Sequence, residues 1–525
     1  MAKNDILLIG FYNEKALGVR YLAKALRHAG FVPHILFFKS FDSKRPKSAT
    51  KKELRLLIDL IKSIQPFCIG LSVMSSFYLE TIQLVAATIA KHFFLPTIWG
   101  GVFATLEPRR AAAWCDFVIR GEGEEAICEL AAAIRQNRDF RRICNLAYYT
   151  PDGTYIENEL RPLMCDIDAY GYPDIGAAQM YRIEHGRLTV GDPQLSSYSY
   201  ELTASRGCPF SCTYCSAPNL RRLYRGKGVY LRFRSVASVI AELKEAKQRM
   251  PRLRFIHFWD EIFSDSEEFV ASFCEAYKRE IGLPFRIWGH PLKINSSAMQ
   301  QLKDAGLYQI SVGIQSGSPV LRRDIFGRYE TQQQILSASQ ILSKCRIHQV
   351  YYDLMLDHPF EKLSDLRETF FLCLKLAPPF RLNIHGLNFL PATDITKMAI
   401  EQKIFTADEL EASMYTTMQK QYDKYWGPAA RSQLSDEKRA WLDLIYLTQF
   451  PDLHIRLQIL AQSISQRQTQ KQIAQLRRKK VYLAWLTAYR EKARLFFAHS
   501  LPEQTPDTSP KQTDIQQKAE RKQPL

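Results

Sequence analysis

At 525 residues the chain is too long for one ordinary core, so two or three domains are expected. With 46% hydrophobic and 12% aromatic residues it is globular, which excludes a largely disordered chain. The net charge of +17 permits an anionic partner, but a basic C-terminal tail alone would produce it, so charge decides nothing about catalysis.

Eleven cysteines without a regular framework predict a reducing, cytoplasmic setting. No apolar run approaches the roughly 20 residues that cross a bilayer. The N-terminus opens directly on an apolar strand, Ile6–Gly10, without a signal-peptide cleavage pattern.

Residues 1–135 alternate strand and helix. Ile6–Gly10, His34–Phe38, Cys68–Val73, Thr97–Trp99 and Phe117–Ile119 read as strands, separated by helical patterns at 18–29, 53–64 and 79–92. Such alternation predicts a parallel, doubly wound (Rossmann-like) sheet with ligands at the carboxyl ends of its strands. The loops there carry Asn13-Glu-Lys15-Ala-Leu-Gly18, Ser72-Val-Met74, Gly100-Gly101 and Gly121-Glu-Gly-Glu124. Residues 136–195 read as a connector, with a hairpin around Asp152-Gly153 and an irregular stretch from Pro162 to Ile175.

An extended stretch, Tyr198 to Ala204, runs into Arg206-Gly-Cys208-Pro-Phe-Ser-Cys212-Thr-Tyr214-Cys215. Iron–sulfur clusters are held by cysteine thiolates and a cubane takes four, so three in one short loop leave one iron open. A zinc site would want a fourth Cys or His at matching spacing. None follows nearby, and a zinc knuckle or three unrelated thiols are the bland alternatives. Strands at 255–258, 285–288, 308–312, 348–356 and 383–389 then alternate with helices. With the first strand they predict a partial (β/α)6 barrel over residues 196–395, with chemistry at the strand C-terminal ends. Those ends carry Asp260-Glu261, Gly313-Ile-Gln315-Ser316-Gly-Ser318 and Asp357-His358-Pro359. Asp357 and His358 are substrate-facing or structural with equal reason; His290, His385 and Tyr352 are weaker candidates for the cavity. Residues 396–500 read as helices, the last with a basic start, Arg477–Lys480, and an aromatic and aliphatic face of Tyr482, Trp485, Tyr489 and Leu495. Residues 501–525 have the composition of a disordered tail.

The cysteine loop, with Tyr214 before its last thiol, resembles the cluster loop of the radical S-adenosylmethionine (SAM) superfamily. The N-terminal third resembles the cobalamin (B12)-binding domain fused to one branch of it. The resemblance implies a [4Fe–4S] cluster on Cys208, Cys212 and Cys215. It places SAM against Tyr214, Asp260 and Glu261, which would receive the methionine ammonium, and against Gly313, Gln315 and Ser316. The family's cobalamin pattern is D-x-H-x-x-G, then S-x-L, then Gly-Gly, which maps onto Asn13, Lys15, Gly18, Ser72, Gly100 and Gly101. Lys15 stands where the cobalt-ligating His would be, and an ammonium has no lone pair to offer.

The implied activity is generation of a 5′-deoxyadenosyl radical and cobalamin-dependent methyl transfer to an unactivated carbon of a small molecule, lipid or peptide. A cobalamin-associated radical cyclase and a non-enzymatic cobalamin or cluster sensor are the alternatives. A methylthiotransferase would need further cluster cysteines that are not in pattern here. An electron donor such as flavodoxin or ferredoxin is implied; nucleic acid is not expected as a partner.

Overall fold

The computed structural model describes residues 4–42, 46–263, 266–425 and 434–497. The chain forms two compact units, Met1–Lys480 and Val481–Leu525. The expected tail at 501–525 and the side chains of Trp485 and Leu495 lie outside the described residues.

The first unit opens with nine strands: β1 Asp5–Phe11, β2 Val32–Phe38, β3 Cys68–Ser72, β4 Thr97–Gly100, β5 Phe117–Ile119, β6 Leu146–Tyr149, β7 Tyr155–Glu157, β8 Met180–Glu184 and β9 Arg187–Val190. They form one sheet in the order β7-β6-β5-β4-β3-β1-β2-β8-β9. The six strands from β5 to β8 run parallel, and antiparallel partners β6–β7 and β9 close the two edges. Helices cover both faces, so the central strands are continuous apolar runs. Leu7, Ile9, Leu36 and Phe38 fill one core, while Ile6, Leu8, Ile35 and Phe37 fill the other. The helix Lys51–Ile64 starts on a capping box of Thr50 and Glu53, and Glu53 also takes the Lys39 ammonium at 3.0 Å. The β8–β9 pair carries no turn signal strong enough to have been expected.

The second sheet begins at β10 Ser199–Leu202. It is followed by a short antiparallel ribbon, β11 Ser205–Arg206 with β12 Arg232–Phe233. The sheet continues with β13 Phe255–Phe258, β14 Phe285–Gly289, β15 Leu307–Gln315, β16 Gln349–Met355 and β17 Arg381–His385. All six of its strands are parallel and neighbours in chain order, with β10 and β17 at the two ends, which makes an open barrel. The expected α/β architecture is therefore present: a Rossmann-like domain, a partial barrel and a helical C-terminal region.

Side-chain alternation divides this sheet sharply. Phe285, Ile287, Ile310, Val312 and Val350 pack against the surrounding helices. Tyr352 joins them at 1% exposure, so the expectation that it faces the cavity is corrected. On the opposite face, cross-strand neighbours are polar or aromatic: His257 beside Arg286 and Gln309, then Trp288 beside Ser311 and Tyr351. The helix Asp436–Leu447 docks on the barrel through Trp441 against Phe370, ring centroids 5.7 Å apart. Arg477 and Lys480 pair with Asp443 and Asp452, so part of the basic run is neutralised within the fold. Among the described residues no helix is long and apolar enough to cross a membrane.

Candidate active site

The cysteine loop leaves β11 and returns at β12, so the ribbon pinches its two ends together. Gly207 opens it at φ +99, where a Cβ would fall 2.5 Å from the Tyr230 carbonyl oxygen, and only glycine fits. Inside the loop, the Thr213 N–H donates to the Phe326 carbonyl at 3.1 Å, and the Ile395 N–H donates to the Thr213 carbonyl at 3.0 Å. Arg221 reaches back to the Pro209 carbonyl at 2.7 Å and the Ser211 hydroxyl at 2.6 Å. The thiol-bearing segment is thus tied down from three directions while its cysteines stay partly accessible.

Burial pushes the Cys208 thiol up to about 11 and the Cys215 thiol up to about 12, and the nearby Glu261 carboxylate acts in the same direction on both. Cys215 Sγ accepts the Ala217 N–H at 3.4 Å. Cys212 Sγ lies 3.7 Å from a guanidinium nitrogen of Arg328. Arg328 is 5% exposed and also donates to the Tyr214 hydroxyl at 3.3 Å, the Gly313 carbonyl at 2.6 Å and Glu330 at 2.7 Å. It therefore links Cys212 and Tyr214 to the end of β15. Sequence reasoning did not single it out, because 116 residues separate it from Cys212.

Asp260 and Glu261 part company. Asp260 is 2% exposed, and its carboxylate accepts the Ala204 N–H at 3.0 Å and the Ser205 hydroxyl. It is a strut under the start of the cysteine loop, and the expected ammonium contact is corrected there. Burial raises its carboxyl to about 6. Glu261 is open to solvent, yet the surrounding protein raises its carboxyl too, as for a group on the wall of a cleft.

Gln315, at φ +68, marks a bulge in the β15–β16 ladder. Ser316 is fully buried; its hydroxyl accepts the Ser318 N–H at 3.1 Å and its carbonyl accepts Arg322 at 2.7 Å. The expectation that its side chain meets a cofactor is corrected, since it is engaged in holding the turn. His290 lies 3% exposed with its ring stacked on Phe210 of the cysteine loop, centroids 3.7 Å apart. His358 is buried behind Phe326, which excludes the substrate-facing reading; His385 remains half exposed at the end of β17.

At the N-terminal sheet, Asn13 Oδ1 accepts the Lys15 N–H at 2.9 Å and folds the first loop. The Lys15 ammonium crosses to β10, donating to the Ser199 hydroxyl at 2.8 Å, the Ser199 carbonyl at 3.2 Å and Glu201 at 2.9 Å. All three donors of Lys15 are engaged, so it joins the two domains. Gly18 is exposed, with open space where a side chain would stand. Gly101 sits at φ +102, where a Cβ would meet the Val73 carbonyl oxygen at 2.8 Å. Ser72 and Gly100 end the adjacent strands β3 and β4, in register with one another. The last of these loops grips the barrel: Glu122 pairs with Arg232, and Glu124 with Arg206, which is sandwiched by Tyr21 and Tyr170.

Residues 202–373 match the model of the radical SAM superfamily, and residues 11–131 match that of the B12 binding domain. An uncharacterized methyltransferase, PH0819, of Pyrococcus horikoshii is 26% identical over 298 residues, covering 55% of this chain and 60% of the relative. The anaerobic magnesium-protoporphyrin IX monomethyl ester cyclase of Rubrivivax gelatinosus is 24% identical over 342 residues, covering 62% and 56%. The chain thus spans less than two thirds of the length of these relatives. The radical S-adenosylmethionine methyltransferase TsrM of Kitasatospora setae, solved with its tryptophan substrate and a SAM analogue, shares the fold. Its TM-score is 0.61 at 17% identity, and the match covers 76% of each chain.

Proposed function

Because this chain joins a B12 binding domain to a radical SAM domain, it belongs to the cobalamin-binding radical SAM enzymes, and we propose on that basis that it transfers a methyl group by a radical route to a carbon lacking an acidic proton. The observation that carries the reading is the tethered loop of three partly accessible thiols beside Glu261 and Arg328.

The residues fit a [4Fe–4S] cluster. Soft thiolates are its ligands, and each takes a separate iron, so the sulfurs need not converge on one point. Among the described residues, no group of three or more His, Cys, Asp or Glu side chains is arranged to hold a single metal ion. Arg328 offers a charge-assisted hydrogen bond to the Cys212 thiolate. The N-terminal loops also fit a corrin: Gly18 leaves open space beside its backbone, Gly101 lets the chain turn tightly against the Val73 carbonyl, and Lys15, committed to Ser199 and Glu201, supplies no ligand to cobalt. When bound, these groups supply one-electron cleavage of the SAM sulfonium and the methyl to be transferred.

The chain's part is binding, orientation and exclusion of water. Glu261, an accessible carboxylate close to Cys208 and Cys215, would accept the ammonium of SAM. Asp260 keeps the loop that carries Cys208 in register with the end of β10. Arg328 holds the Gly313 carbonyl and the Tyr214 hydroxyl, fixing the two segments that would hold SAM. An acidic one-electron carrier of the flavodoxin or ferredoxin kind is the reductant.

The test is anaerobic reconstitution with iron, sulfide and cobalamin, followed by mass spectrometry for 5′-deoxyadenosine. Wild type forms it and Cys212→Ala does not; equal yields would remove the reading. The likeness to the cyclase keeps a radical cyclisation in play, and it is separated by the product, which is heavier by one CH2 only if methyl is transferred.

A further inference from the structure

The barrel face that does not pack on helices carries an arginine without a partner. Arg286, the second residue of β14, is half-buried and has no hydrogen-bond or ion-pair partner among the described residues. Three other buried guanidinium groups here have carboxylate partners, Arg20 with Asp192, Arg234 with Glu242 and Arg328 with Glu330, and Arg322, 1% exposed, donates to the Ser316 carbonyl. The carboxylates near Arg286 are engaged elsewhere, Glu201 with Lys15 and Asp353 with Asn383 at 2.8 Å. What Arg286 does have is two indoles: its guanidinium carbon lies 5.5 Å from the Trp259 ring centre and 5.0 Å from that of Trp288. The two rings are 5.8 Å apart and tilted by 34°. Trp259 is 42% exposed and stands at the C-terminal mouth of the barrel, immediately before Asp260 and Glu261.

Cation–π contact satisfies the charge in part but none of the five N–H donors of a guanidinium. A cation left with donors free inside a barrel is a receptor for a planar oxyanion, which it pairs bidentately. Burial lowers the guanidinium's proton affinity, as expected for a charge awaiting its counter-ion. The exposed indole beside it is a stacking surface.

We propose that Arg286, Trp259 and Trp288 form the substrate subsite, and that the substrate is a flat aromatic or conjugated acid whose oxyanion docks on Arg286 while its ring lies along Trp259. This rests on the reading of the chain as a radical enzyme that works inside its barrel. It narrows the substrate from small molecule, lipid or peptide to one chemical class.

The test is calorimetric titration of the cluster- and cobalamin-loaded protein with three probes: 2-naphthoate, the uncharged 2-naphthamide and the non-planar cyclohexanecarboxylate. Naphthoate binds wild type at least about tenfold more tightly than either of the others, the worth of one charge-assisted hydrogen bond or one stacked ring. Arg286→Gln removes the preference for naphthoate over naphthamide while leaving naphthamide binding unchanged. Trp259→Leu removes the preference for naphthoate over cyclohexanecarboxylate. Iron content and cobalamin absorbance confirm that each variant is loaded and folded. Wild type binding the three probes alike, binding none of them, or Arg286→Gln keeping the charge preference would each overturn the subsite. Formation of 5′-deoxyadenosine, read on the same samples, reports separately on the radical chemistry: a protein that cleaves SAM but shows no anion preference loses the subsite alone, and one that prefers the flat anion but never cleaves SAM loses the proposed reaction alone.

Discussion

The two sheets use the same βα alternation and treat their faces in opposite ways. In the nine-stranded sheet both faces are sealed, with Leu7 and Ile9 in one core and Ile6 and Leu8 in the other. Nothing is left there for chemistry except the loops at the strand ends. In the six-stranded sheet only the helix-facing side is aliphatic, and the other presents His257, Arg286, Trp288, Ser311 and Tyr351. A doubly wound domain therefore binds at its rim, whereas an open barrel also has a wall to bind with. Stability and recognition then fall on alternate residues of one strand.

The contrast can be broken at its sealed side first. Asp192→Ala leaves the Arg20 guanidinium, 1% exposed at its side chain, without its carboxylate and should cost about 3–5 kcal/mol in chemical denaturation. Arg20 and two backbone N–H groups hold the Asp192 carboxyl below its usual value. Its contribution is therefore present above the unfolded-state pKa, near pH 4, and is lost as pH falls through the lower folded value. An acid titration of Asp192→Asn should show a shallower loss than wild type in that range. Adjacent residues of β15 sharpen the contrast next: Ile310→Ala should cost about 2–4 kcal/mol, and Gln309→Ala, on the open wall, within about 1 kcal/mol. Equal costs would mean the wall is a second core.

Between the domains, Lys15→Met and Glu201→Gln should couple by about 1 kcal/mol in a double-mutant cycle, and the cobalamin spectrum of Lys15→Met should match wild type because the Lys15 ammonium is committed to Ser199 and Glu201. In mild acid the smallest effect belongs to Glu361→Gln. Burial raises the Glu361 carboxyl to about 8, so it stays protonated in the folded protein at pH 6. Folding then becomes less favourable as pH rises from the unfolded value near 4.5 through about 8, since the unfolded chain releases that proton earlier. Glu361→Gln should match wild type near pH 4 to within about 1 kcal/mol and be the more stable protein at pH 9.

Much of this was legible in the chain. The apolar runs around Leu7, Leu36 and Ile69 gave the parallel sheet, because strands buried on both faces need no alternation to be seen. The three cysteines were legible because their chemistry is compressed into eight residues. What escaped is what depends on distance or on direction. Arg328 meets Cys212 only after β15 has folded beside the loop. Asp260 and Glu261 are adjacent at a strand end and so point opposite ways, and no spacing tells which is the strut and which is accessible. Arg286 looks like any alternating residue until its neighbours are seen to be engaged without it.

Arg206, two residues before the first cysteine, is held by Glu124 and Glu122 of the N-terminal domain, and Arg232, at the far end of the same loop, is held by Glu122. A barrel severed from its N-terminal partner would leave both arginines facing solvent at the two hinges of the thiol segment. Swapping either half for that of a cousin would have to carry this carboxylate pair along with it. Trading in one half alone, the hybrid would assemble its metal poorly however faithfully the cysteines were copied.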